Sequence, residues 1–398
     1  MGWLVLLVTT LVQAIATFGI LTYPVLAPDI ARHLNVPTSA IGYQISIAYF
    51  WAVVSSIYCG PMVQRWGAGR TTQLSMLLVA LGCAGLSFPN IYLIILGSTL
   101  IGFSYGMTNP SASHLLVKYS NPTRRNLIFS IKQTGVPIGG ILAGLISPAV
   151  AINWGWQWAT STVAICAFIF ALSIHPLCRH WDDDKDPSVS LIKKPLDGFM
   201  MIWNNRPLRN LMPAGFTFSV IQMCIVTFLV AYLVEEILIH EKKALIIAGF
   251  IMASVQVSGV CGRLIWGWVA DYFGDGWAIL IFLSFVMAGL SLVMVFIDPS
   301  WPMLALYAVF IFVGLSSLGW NGVYIASIVG LIDKKQVGRI TGSSLAITYG
   351  GVFVGPAIFS SLYPLFGSYG ETYGLLAIVS LVGGYCVYSS RRIKAKIM

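Results

Sequence analysis

Charged residues are scarce in this chain, 9% of 398, against roughly 25% in a soluble domain. That shortage excludes an ordinary water-soluble protein of this length. Cysteine is scarce too. The seven (Cys59, Cys83, Cys166, Cys178, Cys224, Cys261, Cys386) lie in or at the ends of apolar runs without metal-ligand spacing. They exclude a disulfide scaffold and read as small buried hydrophobes. With 18 prolines and 39 glycines, collagen and low-complexity disorder are excluded as well. His-x-x-x-His pairs, Walker-type loops and Asp/Ser pairs at catalytic spacing are missing. Hydrolytic and ATP-driven enzymes therefore have no residues to carry them, and no cofactor or metal is expected. No basic run is interleaved with aromatics, which removes nucleic acid as a partner.

What is present is apolar surface: 57% of residues are hydrophobic and the mean hydropathy is +0.83. A helix needs about 20 apolar residues to cross about 30 Å of hydrocarbon. Runs separated by Pro, Gly, Asn and charges place six spans near 3–28, 39–62, 71–88, 91–118, 126–150 and 157–177. Six more fall near 209–234, 244–270, 277–297, 301–329, 338–363 and 371–389. The expected fold is an all-α polytopic membrane protein of twelve transmembrane helices, arranged as two pseudo-symmetric six-helix bundles. Residues 1–177 would form the first bundle, 178–208 an inter-bundle linker, and 209–398 the second bundle with a short basic tail. Within the linker, Leu196 and Phe199–Trp203 read equally as an amphipathic interfacial piece or as plain linker. Trp154, Trp156 and Trp158 look like an aromatic belt.

The loops give the orientation. With the N-terminus inside, the inner segments hold eighteen basic residues and the outer loops only Arg32, Lys242 and Lys243. The positive-inside rule therefore puts both termini and the 178–208 segment in the cytoplasm. The first span starts at Gly2 or Trp3 with no basic stretch before it, so it is expected to be retained.

An internal repeat runs through the chain. Gly60-Pro-Met-Val-Gln64-Arg65-Trp-Gly67-Ala-Gly69-Arg70 between spans 2 and 3 is answered by Gly267-Trp-Val-Ala-Asp271-Tyr-Phe-Gly274, offset by 207. Gly102 and Asn109 in span 4 are answered by Gly314 and Asn321, offset by 212, and Arg125–Thr134 by Arg339–Thr348, offset by 214. Three matches in order with nearly constant offset indicate a six-plus-six duplication.

On these residues the chain resembles the major facilitator superfamily over essentially its whole length. Gly60 to Arg70 is similar to that family's G-x-x-x-D-R-x-G-R-R loop, with Gln64 in place of the acid. The second copy keeps the acid as Asp271 but has Tyr272 in place of the arginine. Gly135-Val-Pro137-Ile-Gly139-Gly140 resembles the family's span-5 G-P-x-x-G-G element, usually associated with antiporters. Gly351, Gly355 and Pro356 take that part in span 11. The resemblance implies two bundles rocking about a central cavity, with these glycines and prolines as packing and bending points. By the pseudo-symmetry, Asp271 is expected to latch near the start of span 5, beside Arg124 and Arg125. Gln64 would make only a neutral counterpart. The plainer alternative is a solvated loop aspartate.

Two basic residues fall inside spans, where they cost roughly 2.5–3.5 kcal/mol on insertion scales. Arg263 lies eight residues, about 12 Å of helix, before Asp271. All fourteen acids are in loops or near span ends, which leaves no mid-span carboxylate to pair it. Gly262-Arg263-Leu-Ile-Trp-Gly267 resembles the span-8 element of monocarboxylate and nitrate/nitrite porters, which implies that Arg263 binds an anionic substrate. The acid one turn earlier in many monocarboxylate carriers is Gly259 here, and the second arginine of nitrate porters is absent from span 2. Lys132 in span 5 would face the cavity or snorkel to the surface. Asn109, Asn321, Trp320, Tyr349 and Gln133 are further substrate-site candidates, the amides serving equally well as interhelical hydrogen bonds. Asp29 is the candidate proton site.

The function these features favour is a secondary carrier of a small organic anion, a carboxylate moved with protons or exchanged for another anion. Alternatives are an efflux antiporter and a transporter-like receptor without flux. A monomer in a bacterial inner membrane is the expected setting.

Overall fold

The computed structural model describes residues 2–119, 125–189, 191, 197–332 and 337–397. All regular structure among them is helical: α1 (Gly2–Val25), α2 (Ala27–Leu34), α3 (Ile41–Trp66), α4 (Ala68–Leu86), α5 (Ile91–Tyr119), α6 (Arg125–Gln133), α7 (Gly135–Trp154) and α8 (Trp156–Trp181). There follow α9 (Asp197–Asn204), α10 (Arg206–Tyr232), α11 (Ala244–Phe273), α12 (Gly276–Phe296), α13 (Met303–Ser317), α14 (Asn321–Val329), α15 (Val337–Phe366) and α16 (Tyr369–Ile397). Among the described residues, eleven stretches are long and apolar enough to span a membrane. The expected third span is α4, shorter and more polar, and it packs against α5 and α8. The protein is a multi-pass integral membrane protein. Its chain divides into two compact units, Met1–Lys193 and Lys194–Met398.

Three expected spans are interrupted. The first ends at Val25 just after Pro24, and the chain turns at Leu26 into α2, which Asn35 closes at φ 53°. The fifth splits at Thr134 into α6 and α7, because Pro137 has no N–H to give the Gln133 carbonyl and its ring crowds that oxygen. The tenth splits into α13 and α14 across Leu318–Trp320. There Trp266 Nε1 donates to the Leu315 carbonyl (2.8 Å) and Arg263 Nε to the Leu318 carbonyl (3.1 Å), so side chains of α11 satisfy oxygens near the break.

The duplication is visible in packing. In the first unit a Cβ on Gly102 would collide with the Ala48 carbonyl, and in the second a Cβ on Gly314 would collide with the Val255 carbonyl. Ala48 and Val255 are themselves 207 residues apart. Each unit thus sets its fourth span against its second through the same small-residue contact.

The region between the units differs from a plain linker. Helix α8 runs to Trp181, past the expected boundary at 177, and α9 is the amphipathic piece. Its Ile202 is buried while Met200 and Trp203 are exposed. Four of the seven cysteines are buried as expected, but Cys166 and Cys261 are exposed and Cys386 is half-buried. These three sit on outward helix faces, where hydrocarbon can replace protein as the apolar surroundings. Trp154 and Trp158 are exposed in the manner of a belt, whereas Trp156 is buried edge-on to Tyr23 and His33.

Candidate functional site

In the first unit, polar side chains converge on Lys132, which is only 2% exposed. Its Nζ donates to Gln13 Oε1 (2.8 Å), to Asn109 Oδ1 at short range, and to Gln133 Oε1 (3.5 Å). Thr108 Oγ1 donates to the same Gln13 oxygen at 3.1 Å. The approach of α6–α7 to α1 is set by glycine: a Cβ on Gly135 would stand 2.5 Å from the Thr10 carbonyl, and one on Gly139 would collide with that of Ala14. Pro137 and Gly140 are buried in the same turns. Every acceptor around this ammonium is a neutral amide, and among the described residues it has no carboxylate partner. Gln13 Nε2 and Thr17 Oγ1, both buried nearby on α1, have no partner there either.

The second unit builds a related node without a lysine. Gln222 Oε1 on α10 accepts from Trp320 Nε1 (3.1 Å) and Asn321 Nδ2 (3.1 Å). Trp320 is fully buried between Phe218 and Tyr324, edge-on to both. Arg263 is half-buried, its Nε engaged with the Leu318 carbonyl of the break. Tyr349 is half-buried on α15, where Gly351 packs on the Phe216 carbonyl and Gly355 lies 3.0 Å (as a Cβ) from Val220, with Pro356 buried beside them. Sequence reasoning thus named Lys132, Asn109, Gln133, Trp320 and Asn321 but missed Gln13, Thr108 and Gln222. The signal was available: Gln13 and Gln222 are 209 residues apart, within the repeat's own offset.

The loop motif of the first unit is organised around an acid that its sequence pattern does not include. Asp182, buried just beyond α8, accepts from the backbone N–H of Gly69 (2.6 Å) and of Arg70 (2.9 Å) at the start of α4. Gly67 stands at φ 96°, and a Cβ there would collide with the Asp182 side chain. The carboxylate missing at Gln64 therefore reaches the positive helix end from another segment. Arg70 turns to Gln73 (2.9 Å) and His175 (3.3 Å). The Gln64 carbonyl accepts from the Asp186 N–H at 2.8 Å, and Arg65 donates to the Val189 carbonyl at 3.5 Å. Asp184 takes His114 at 2.8 Å and Lys118 at 3.0 Å, and Asp183 also pairs with Lys118. Burial pushes the Asp182 carboxyl up, against the two N–H donors. For Asp184, burial acts the same way but is outweighed by Lys118 and His114, which hold it below the usual carboxylate range.

The remaining candidates are less engaged. Gly60 and Gly267 would each have open space around a Cβ within their own unit, and Gly274 closes α11 at φ 65°. Asp271 is exposed on the last turn of α11, while Asp275 caps α12 through the Ala278 N–H (3.1 Å) and pairs with Arg391 (2.5 Å). Arg124 lies outside the described residues, as does the side chain of Arg125. Asp29, half-buried, stands 3.5 Å from Arg32 beside a cavity of about 340 Å³ that His33 and Trp156 also line. Burial raises its carboxyl and Arg32 opposes the shift.

Comparison with known proteins places this architecture. The chain is 20% identical to a hexuronate transporter of Bacillus subtilis (strain 168), over 92% of this chain and 87% of that protein. It is also 20% identical to a gentisate transporter of Corynebacterium glutamicum, over 86% of this chain and 77% of that protein. The fold superposes on a variant of the nucleoside transporter NupG with a TM-score of 0.79 at 15% identity, covering 97% of this chain and 99% of the other. These relatives are transporters rather than enzymes. The profile described as Major Facilitator Superfamily matches residues 6–356, and the chain belongs to that superfamily.

Proposed function

We propose that the protein is a secondary carrier of small organic anions, specifically carboxylates, working by alternating access with proton symport or anion exchange. The observation that carries this reading is the Lys132 node: a buried ammonium held by three amide oxygens and no carboxylate among the described residues. A cation so placed is costly unless a counter-charge arrives, and an anionic substrate supplies one. Hexuronate and gentisate, named for two relatives, are both carboxylates. On this reading Asn109 and Gln133 orient the substrate beside Lys132. Arg263 adds positive potential in the second unit, together with the Trp320–Asn321 node. Asp29 is the proton site under symport. The protein sits in a bacterial inner membrane with both termini cytoplasmic, following the loop charges.

The test is uptake of labelled gentisate and galacturonate into proteoliposomes under imposed pH and voltage gradients. Wild-type protein should accumulate at least one of them. Lys132→Gln should lose saturable uptake while Lys132→Arg keeps part of it. Accumulation by Lys132→Gln at the wild-type rate, at equal protein in the membrane, would discard the reading. Stimulation by an inward proton gradient selects symport, and stimulation by internal unlabelled anion selects exchange.

A further inference from the structure

Between the start of α10 and the end of α16, within the second unit, lies a cavity of about 480 Å³ lined by Asn204, Asn205, Arg206, Gly330 and Lys394 among others. Two cations from separate helices converge on it. Among the described residues neither Arg206 nor Lys394 has an ion-pair partner. Their neighbour Arg391, by contrast, is neutralised by Asp275 at 2.5 Å. Among the described residues, no acid lines it. Arg206 is also the first residue of α10, so the positive end of that helix adds to the potential in the cavity. Lys394 is steadied over the Trp277 ring at 5.9 Å.

The rim of this basic cavity is apolar. Helix α9 ends at Asn204 and presents Met200 and Trp203 outward, 65% and 66% exposed, while Ile202 anchors it to the unit. The Arg209 guanidinium lies over the Trp203 ring at 5.5 Å, which fixes the indole beside the cavity mouth. An amphipathic helix with outward Trp and Met, next to unpaired cations, has the composition of a membrane-interface element. A free phosphate would have no use for that rim.

We infer that this cavity holds the headgroup of an anionic phospholipid, with its phosphate on Arg206 and Lys394 and its acyl chains along Met200 and Trp203. The charge pattern selects an anionic lipid over a zwitterionic one, because a choline group would add a cation beside Arg206 and Lys394, with no acid among the described lining residues to receive it. The bound lipid would pin α9 to the bilayer and, through Arg206 and Lys394, tie the start of α10 to the end of α16.

The experiment compares purified protein in nanodiscs of phosphatidylcholine alone with discs containing phosphatidylglycerol. Wild type should unfold about 2–4 °C higher with phosphatidylglycerol, and native mass spectrometry should retain one such lipid in preference to phosphatidylcholine. The double variant Arg206→Gln/Lys394→Gln should lose both effects while matching wild type in phosphatidylcholine. Equal retention of the two lipids by wild type overturns the proposal, and so does an undiminished phosphatidylglycerol shift in the variant. Inorganic phosphate in phosphatidylcholine discs should have no effect; if it reproduces the shift, the site is one for free phosphate. Should the variant fail to fold, phosphatidylglycerol with a photoreactive headgroup gives the answer on wild type. Cross-links at residues 197–209 or around Lys394 support the site, and cross-links confined elsewhere overturn it.

Discussion

The two halves keep the same amide pair and differ in what they place beside it. Gln13 and Gln222 are 209 residues apart, while Thr108 and Trp320, like Asn109 and Asn321, are 212 apart. In both units the fourth-span residue donates to the first-span-type glutamine: Thr108 to Gln13 and Trp320 to Gln222. In the second unit Asn321 joins as a donor and the node closes on itself. In the first, Asn109 turns its oxygen toward Lys132, so both amides serve as acceptors for a cation. The repeat position of Lys132 in the second half is Ala346, and that of Arg263 in the first half is Ser56. Each half therefore carries one cation where the other has a small neutral residue, on a different helix. The amides are the part the two halves share, and the cations are the part in which they differ.

The sharpest way to break this comparison is to remove the lysine. Leaving a buried charged group without its partner typically costs about 2–5 kcal/mol, so if Lys132 meets the substrate charge, Lys132→Gln should reduce kcat/KM for uptake by about 30-fold or more. Thermal stability should hold or rise, since an amide among amides needs no counter-charge. Uptake that survives together with lower stability would mark Lys132 as structural and make the halves functionally equivalent at this node.

The glutamines come next. Gln222→Leu strips the acceptor from Trp320 and Asn321, and a buried donor left unsatisfied costs about 1–3 kcal/mol. Gln13→Leu takes an oxygen from an ammonium as well as from a hydroxyl, so its loss should be the larger of the two, read as the drop in Tm in one detergent. Equal losses would show that the charge in the first node adds nothing to the interaction.

Much of this architecture is legible in the amino-acid sequence. The period of apolar runs gives the helices, and the constant offset gives the duplication. The helix breaks are harder to see, because Thr134 and Leu318–Trp320 lie inside stretches long enough to read as one span each, with Pro137 and Gly319 as the helix-breaking residues beside them. Lys132 and Arg263 stand out because a cation is costly at membrane depth. Gln13 and Gln222 do not, since a lone amide in a span carries a small penalty and no motif. Asp182 is hidden for a different reason. It lies 113 residues from the Gly69 N–H it caps, and nothing local links an acid after α8 to a loop before α4.

The two loop motifs offer a smaller contrast. Asp182 accepts two backbone donors in the first unit, and Asp275 accepts one in the second. Asp182→Ala should cost about 1–3 kcal/mol by leaving buried N–H groups unsatisfied, against about 1 kcal/mol for Asp275→Ala, an ordinary helix cap. Gly67→Ala should resemble Asp182→Ala, because φ 96° and the Asp182 side chain both refuse a Cβ. Matching Tm losses for Asp182→Ala and Asp275→Ala would mean that the segment after α8 contributes no more than a cap.

The least effect belongs to the acid cluster and depends on pH. Lys118 and His114 hold the Asp184 carboxyl below its ordinary value. The unfolded chain therefore takes up this proton first as pH falls, and the native charge is lost only below that point. The contribution of Asp184 is complete above the ordinary value of 3.8 and disappears as pH drops through the lowered one. Asp182 has the opposite sign: its raised carboxyl makes the native state the better proton binder just above 3.8, so its contribution declines as pH rises there. Asp184→Asn should thus lower stability at pH 7 by about 0.5 kcal/mol, the scale of an exposed pair, and converge with wild type in acid. Asp182→Asn should differ from wild type least at low pH, where the native carboxyl already carries its proton, and more at neutrality. Melting both variants and the wild type from pH 3 to 7 separates the clasp made by charge from the cap made by hydrogen bonds. A pH-independent gap for Asp184→Asn would show that its contacts act through packing, and that the first unit holds its chain end without electrostatics.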